Sequence, residues 1–274
     1  MIRAVFGKGN VMLSYLFKAL SAAFDAVAIA VWGWNPALAI LAGFGVYINL
    51  QVLYLIFLYI WSLFLPNTKE KVRYRPVCAF MTRVTIDWLL DLFHVVVKTQ
   101  GLEKLPGEPF VLVQNHRSRF DPMIVYHVLR GRKKGFISKK ENMKIPIAGS
   151  FIHNAGFLPM DRENALQSMR TLRQAANMVK NEGFCMTIYP EGTRNKFSQP
   201  LLDFKEGAFY MAKKAGAPIV VTVVENTASI APHFYFFNRV PFKVLSVIPK
   251  ETVAEKSDAE LAEICRGIML DALR

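Results

Sequence analysis

Between Asp25 and Lys69 the chain carries no charged residue. A helix with one face in water needs polar cover on every turn, so an uncharged stretch of this length cannot lie on the surface of a soluble protein. This part meets lipid. Within it, Gly33-Trp34-Asn35-Pro36 is a turn signal that divides a first apolar helix over residues 11–32 from a second over 37–65. The second holds the near-continuous apolar run from Val52 to Leu65, with Tyr54, Tyr59 and Trp61 as interfacial anchors. The first is interrupted by Lys18 and Asp25. It can span obliquely, pair the two charges inside the hairpin, or lie at the interface as an amphipathic helix. Ala28-Ile29-Ala30 has the small-x-small form of a signal-peptide cleavage site, but Asp25 would break the apolar core and a longer apolar segment follows, which argues against cleavage. Basic residues flank both ends: Arg3, Lys8 and Lys18 before, and Lys69, Lys71, Arg73 and Arg75 after. The positive-inside rule therefore expects both ends on the cytosolic side of the cytoplasmic membrane, with residues 1–68 a membrane-associated two-helix region and 69–274 an α/β domain.

The remaining composition narrows the partners. Lys+Arg number 34 against 21 Asp+Glu, a net charge of +13, so anionic partners are expected: nucleic acid, anionic lipid, phosphorylated substrates or an acidic carrier protein. The basic residues are spread among helices and no DNA- or RNA-reading motif is visible, which argues against nucleic acid. Cys78, Cys185 and Cys265 are far apart and lack C-x-x-C spacing, so they read as reduced core residues of a domain facing the cytosol.

From Pro76 onward, helix-like and strand-like segments alternate, which predicts an α/β fold with a central mixed sheet flanked by helices. Strands are expected at 94–99, 110–114, 135–138, 157–160, 184–189, 218–224 and 242–248. Residues 77–93 read as an amphipathic helix with Arg83, Asp87 and Asp91 on a solvated or headgroup-facing stripe. The helix over 163–181 has the cleanest period, with Leu166, Met169, Leu172, Ala176 and Val179 inward. A last amphipathic helix, 257–273, should cover the sheet.

Three charged clusters follow strand ends. The first is Val113-Gln-Asn-His-Arg-Ser-Arg-Phe-Asp-Pro122, in which Asp121 and Pro122 form a good N-cap and N1 pair for a helix running to about Arg130. A carboxylate five residues after a histidine across a strand-to-helix turn can also fold back on the imidazole. That contact would fix the tautomer and leave the other ring nitrogen free to take a proton from a hydroxyl. Ser118 sits two residues from His116 and no G-x-S-x-G elbow occurs, so a serine hydrolase is not expected. The second cluster, Tyr189-Pro-Glu-Gly-Thr-Arg194, follows another apolar strand. Arg194 offers a fork suited to phosphate, Gly192 permits close backbone approach, and Glu191 could accept a hydroxyl proton in a hydrogen bond, or the segment could be a polar turn with a Glu191–Arg194 ion pair. The third cluster comprises Lys139, Lys140, Pro146 and Gly149, then Gly156 and Arg162. Carboxyl ends of strands line the crevice of an open α/β sheet, so distant clusters can meet there.

Together, in order and spacing, the three clusters resemble the blocks of the 1-acyl-sn-glycerol-3-phosphate acyltransferase family over roughly residues 94–250. N-H-x-x-x-x-D is met by Asn115, His116 and Asp121. The aromatic followed by P-E-G-T-R is met by Tyr189 to Arg194, and a lysine, P-x-x-G and later arginine are met by Lys140, Pro146, Gly149 and Arg162. The fourth block usually has a second proline after P-I-V; Pro218-Ile219-Val220-Val221-Thr222 has none, which puts the acceptor-pocket role of that strand in doubt.

The resemblance implies acyl transfer from acyl-CoA or acyl-acyl carrier protein to the sn-2 hydroxyl of lysophosphatidic acid, giving phosphatidic acid without cofactor or metal. His116 and Asp121 would be catalytic. Arg162, Arg194 and Lys140 would hold the acceptor phosphate, Glu191 and Gly192 would position the glycerol, Thr193 would be a further substrate-binding residue, and Asn115 would flank the base. Anionic membrane lipid is a further expected partner; the competing expectations are transfer to another lysophospholipid or to glycerol 3-phosphate, and a non-catalytic membrane protein that binds anionic lipid. Of the other histidines, His94 ends a helix, His127 lies on the helix after Asp121, and His153 and His233 lack partners at motif spacing. His233-Phe-Tyr-Phe-Phe237 reads as a buried or edge strand, with lipid contact as the other reading.

Overall fold

The computed structural model describes residues 12–66 and 74–273. The flanking cations Arg3, Lys8, Lys69, Lys71 and Arg73, on which the sidedness expectation rests, lie outside the described residues.

The chain opens with α1 (Met12–Ala30) and α2 (Pro36–Leu63), joined at the expected turn. Asn35 caps α2, its Oδ1 accepting from the amide of Ala37 at 2.9 Å, and Pro36 supplies the first helical residue, which needs no amide donor. Both helices are long and apolar enough to cross a membrane. Their far half is bare hydrocarbon, with Val31, Leu38, Ile40, Leu41 and Phe44 all strongly exposed. Gly43 is where the two helices touch: a Cβ there would stand 1.7 Å from Asp25 Oδ1, and Ser21 Oγ donates to the Gly43 carbonyl at 2.6 Å. Lys18 does not pair with Asp25 inside the hairpin. It reaches Asp91, 2.7 Å away on the next helix, α3 (Pro76–Leu92), and Ser14 donates to the same carboxylate. The near half of the hairpin thus packs on α3: Phe17, Tyr54, Leu58, Cys78 and Trp88 form one apolar cluster, with Phe151.

After α3 come β1 (Val95–Gln100), β2 (Val111–Gln114), α4 (Asp121–Val128), β3 (Lys134–Lys139), α5 (Ala148–Asn154), β4 (Phe157–Met160), α6 (Ala165–Glu182), β5 (Cys185–Ile188), α7 (Tyr210–Ala215), β6 (Ile219–Val224), β7 (Asn238–Ile248), α8 (Lys250–Glu255) and α9 (Asp258–Leu273). The strands form a single mixed sheet in the order β1-β7-β6-β2-β5-β3-β4. All neighbours are parallel except β6 and β7, which are antiparallel. The central strands are apolar along their length because helices cover both faces. On one face α6, α7 and α9 bury Val111, Met186 and Val221; on the other α3 and α4 bury Leu112, Phe136 and Val220.

All seven expected strands are present, β7 beginning four residues early at Asn238. Three local expectations fail. Leu166 is 63% exposed, because it lies in the first turn of α6, beyond the edge of the sheet that buries Leu172, Ala176 and Val179. Asp87 is 2% exposed, because α4 packs across α3 there and turns the polar stripe inward. Residues His233 to Phe237 are not a strand but an exposed connection between β6 and β7. The three cysteines are free and buried.

Candidate active site

β2 lies between β6 and β5 and delivers Asn115 and His116 to the carboxyl edge of the sheet. The Asn115 side chain donates to the Val224 carbonyl at 2.9 Å and accepts from the Val224 amide at 2.8 Å, fastening the end of β2 to the end of β6. Four donors then converge on Asp121, which is fully buried. Its Oδ2 accepts from His116 Nδ1 at 2.8 Å and from the amides of Arg117 at 2.6 Å and Ser118 at 2.7 Å; its Oδ1 accepts from Thr227 Oγ1. The N-cap expectation for Asp121 is corrected: α4 starts at Asp121 itself, Phe120 occupies the cap without a side-chain bond, and the carboxylate folds back over the preceding turn. With Nδ1 donating to Asp121, Nε2 is the acceptor nitrogen, and no described residue bonds to it. The imidazole keeps 15% of its surface exposed.

β5 is the parallel neighbour of β2, so the Tyr189–Arg194 turn begins one strand away. The Tyr189 ring stacks on the His116 imidazole, centroids 4.2 Å apart and planes at 23°. Its hydroxyl is buried without a partner, and burial pushes the phenol pKa well above its ordinary value. Glu191 does not form the ion pair with Arg194, and both of its oxygens are turned inward: Oε1 accepts from the His116 amide at 2.6 Å and Oε2 from the Leu202 amide at 3.0 Å. Burial raises the Glu191 pKa, and those two amides partly offset it. The carboxylate so engaged braces the base, a role additional to the glycerol contact expected of it. Gly192 closes the turn at φ 69°, its amide 3.0 Å from the Tyr189 carbonyl; a Cβ would meet Lys205 Cε at 2.8 Å. The Asn195 amide donates to the His116 carbonyl at 2.7 Å, a second stitch between turn and base. Thr193 is exposed, and the half-buried Arg194 has no hydrogen bond or ion pair among the described residues.

The third cluster sits farther along the same edge. Arg162 follows β4, three strand spacings from β2, about 14 Å across the sheet. Its guanidinium is crowded enough by protein for desolvation to lower its pKa, although the residue keeps an exposed face. Lys140, an exposed side chain, has its Nζ 2.6 Å from Asp161 Oδ2, a partner that an incoming phosphate would have to share or displace. Pro146 precedes α5, and Gly149 lies in its first turn, where a Cβ would stand 2.2 Å from the Met143 carbonyl oxygen.

Two contributors escaped the sequence reading. Tyr189 was visible as an aromatic before P-E-G-T-R, but nothing in the pattern says that its ring lies on the imidazole. Thr227, separated from Asp121 by 106 positions, has no local signal.

The arrangement is a buried carboxylate, an oriented imidazole with an open nitrogen, and an unpaired guanidinium on the neighbouring strand end, which suits proton removal from an alcohol held by an anion. Residues 96–225 match the family description Acyltransferase. The chain is 31% identical over 183 residues to the 1-acyl-sn-glycerol-3-phosphate acyltransferase of Saccharomyces cerevisiae, covering 65% of this chain and 60% of that protein. It is 28% identical over 227 residues to the bovine enzyme named 1-acyl-sn-glycerol-3-phosphate acyltransferase alpha, covering 78% and 77%. Among solved structures, the 1-acyl-sn-glycerophosphate (LPA) acyltransferase PlsC of Thermotoga maritima superposes with a TM-score of 0.57 at 21% identity, over 96% of this chain and 94% of that one, which shows a common fold.

Proposed function

We propose, from the match of residues 96–225 to the family description Acyltransferase, that this chain esterifies the sn-2 hydroxyl of 1-acyl-glycerol-3-phosphate to give phosphatidic acid. The observation that carries this reading is the His116–Asp121 pair at 2.8 Å on a fully buried carboxylate, opening to the edge where Arg194 stands unpaired. Names of the relatives supply the acceptor class.

In the proposed reaction, His116 Nε2 removes the hydroxyl proton as the alcohol oxygen attacks the carbonyl carbon of a thioester. The tetrahedral intermediate collapses with cleavage of the C–S bond, and the imidazolium returns its proton to the departing thiolate. Asp121 holds the ring in the tautomer that leaves Nε2 open and stabilises the cation formed in between, while its other three donors keep it from following the ring. Arg194, with Arg162 farther along the edge, is assigned to the acceptor phosphate. The bare half of the hairpin would lie in the cytoplasmic membrane with the sheet on the cytosolic side, where an acyl-CoA or acyl-acyl carrier protein donor is available. The net charge of +13 suits either anionic donor and the anionic membrane surface.

The test is to incubate the purified full chain in detergent with isotopically labelled acyl-CoA or acyl carrier protein and a panel containing lysophosphatidic acid, other lysophospholipids and glycerol 3-phosphate, then identify the product by mass. Phosphatidic acid as the dominant labelled product is expected; a different acceptor, or no product with either donor, overturns the assignment.

A further inference from the structure

The connection between β6 and β7 has two unlike ends. At its start, Thr227 is 1% exposed and donates to Asp121. At its finish, Phe234, Tyr235, Phe236 and Phe237 are 41%, 73%, 68% and 73% exposed. Such a cluster of open rings is costly in water, since each large ring left uncovered forgoes its burial.

These rings are nevertheless held firmly. The Asn238 side chain is buried, and its Nδ2, with two N–H groups to share, lies 3.1, 3.1 and 3.0 Å from the carbonyls of Phe93, His233 and Phe236. His94 Nδ1 lies 3.2 Å from the Phe234 carbonyl, and the Asn238 amide donates to the His94 carbonyl at 3.0 Å. The turn is built against the end of α3, with the Phe93 and Phe234 rings 6.4 Å apart and His94 edge-on to Phe237 at 5.7 Å.

The end of α3 also marks a level in the molecule. Asp91, two residues before Phe93, is the carboxylate that takes Lys18 and Ser14 of α1. An ion pair on an otherwise apolar hairpin belongs where the helices leave hydrocarbon, at the headgroups. The aromatic turn meets the chain at Phe93 and His94, two and three residues past that pair. It also lies at the catalytic edge of the sheet, because β7 is antiparallel to β6 and starts where β6 ends.

We propose that Phe234 to Phe237 form a second bilayer contact, inserting at the headgroup boundary beside the base of the hairpin and seating the catalytic edge against the lipid surface. The occupant is the membrane interface itself, a medium in which aromatic rings are favoured over either water or hydrocarbon. The inference rests on the hairpin being embedded in lipid. It adds that the membrane touches the same connection that pins Asp121.

The test uses the full chain reconstituted in phosphatidylcholine–phosphatidylglycerol vesicles, with an environment-sensitive fluorophore on Tyr235→Cys in one sample and on Ile40→Cys in another. The three native cysteines are buried, and unsubstituted protein gives the labelling background. The Tyr235→Cys probe should shift to the blue and be quenched more by lipid brominated near the headgroup than by lipid brominated near the chain terminus, with the order reversed for Ile40→Cys. Quenching at Ile40→Cys with a water-like, unquenched Tyr235→Cys probe overturns the proposal. So does a blue-shifted but unquenched Tyr235→Cys probe, which would place the rings against protein, such as a second copy of the chain. An unquenched Ile40→Cys probe would overturn the embedded hairpin on which the proposal depends. As a second measurement, Tyr235→Ser combined with Phe236→Ser should lower turnover of a vesicle-embedded acceptor several-fold while leaving turnover of a short-chain, monomeric acceptor unchanged. Equal loss on both acceptors would overturn it.

Discussion

Two histidine–aspartate pairs lie in this protein a single helix apart, and they serve different ends. His116 Nδ1 is 2.8 Å from Asp121; His127 Nδ1 is 2.7 Å from Asp87. The pair distances are nearly equal and both carboxylates are buried. What separates them is the second nitrogen. His116 Nε2 has no described partner, whereas the His127 ring is covered by Arg130, whose Nη2 lies 2.7 Å from Nδ1 and 3.1 Å from Nε2 and also reaches Asp87 at 3.2 Å. An oriented imidazole can act as a base only where its other nitrogen is left open to a substrate, so the first pair is suited to chemistry and the second ties α4 to α3.

The sharpest way to break this comparison is to remove each ring in turn. His116→Ala should lower acyl transfer by roughly a hundred- to ten-thousandfold with little change in unfolding. His127→Ala should leave turnover of the folded enzyme within a few-fold; a comparable loss of kcat in both variants would show that the pairs are not distinct in kind.

Lys134 probes the electrostatics around the second pair. It is 6% exposed and donates to the Leu129 carbonyl at 2.8 Å. Burial, followed by repulsion from Arg83, lowers its pKa from 10.5 to about 8. Between those values the unfolded chain keeps the proton and the folded one does not, so this lysine's contribution to stability should rise with pH across the window. Relative to Lys134→Met, the native protein should gain up to about 3 kcal/mol from pH 8 to 10.5 in denaturant titrations. A flat difference would contradict it.

Asp87→Ala should cost about 2 kcal/mol of stability in the same titrations, since it removes the buried acceptor shared by His127 and Arg130, without changing the kcat of the folded fraction. The smallest effect sharpens the comparison from the catalytic side. Thr227→Val should lower kcat about tenfold at unchanged KM, because one of four donors to Asp121 is lost while the substrate contacts stay. A change confined to KM would move Thr227 from positioning the carboxylate to binding substrate.

Much of this was legible in the chain. Runs such as Val111–Val113 and Ile219–Val224 announce strands covered on both faces, and the five-residue step from His116 to Asp121 is short enough for the carboxylate to be foreseen on the ring. The parts that were not legible depend on packing between distant segments. Asp87 shares a helical stripe with Arg83 and Asp91 that looks solvated until α4 is laid across it. Nothing local says that the Glu191 oxygens meet the His116 and Leu202 amides once β5 lies beside β2. Nothing local pairs Lys140 with Asp161, which follows β4. In each case the residue type was informative about charge and silent about its partner.

The loop that carries Arg194 is sewn to His116 at both its amide and its carbonyl, by Glu191 and Asn195. On the proposed assignment, the backbone that carries the anion anchor and the backbone that carries the base are one unit. An acceptor analogue with one extra methylene between phosphate and hydroxyl should then dock its headgroup yet present its hydroxyl out of register.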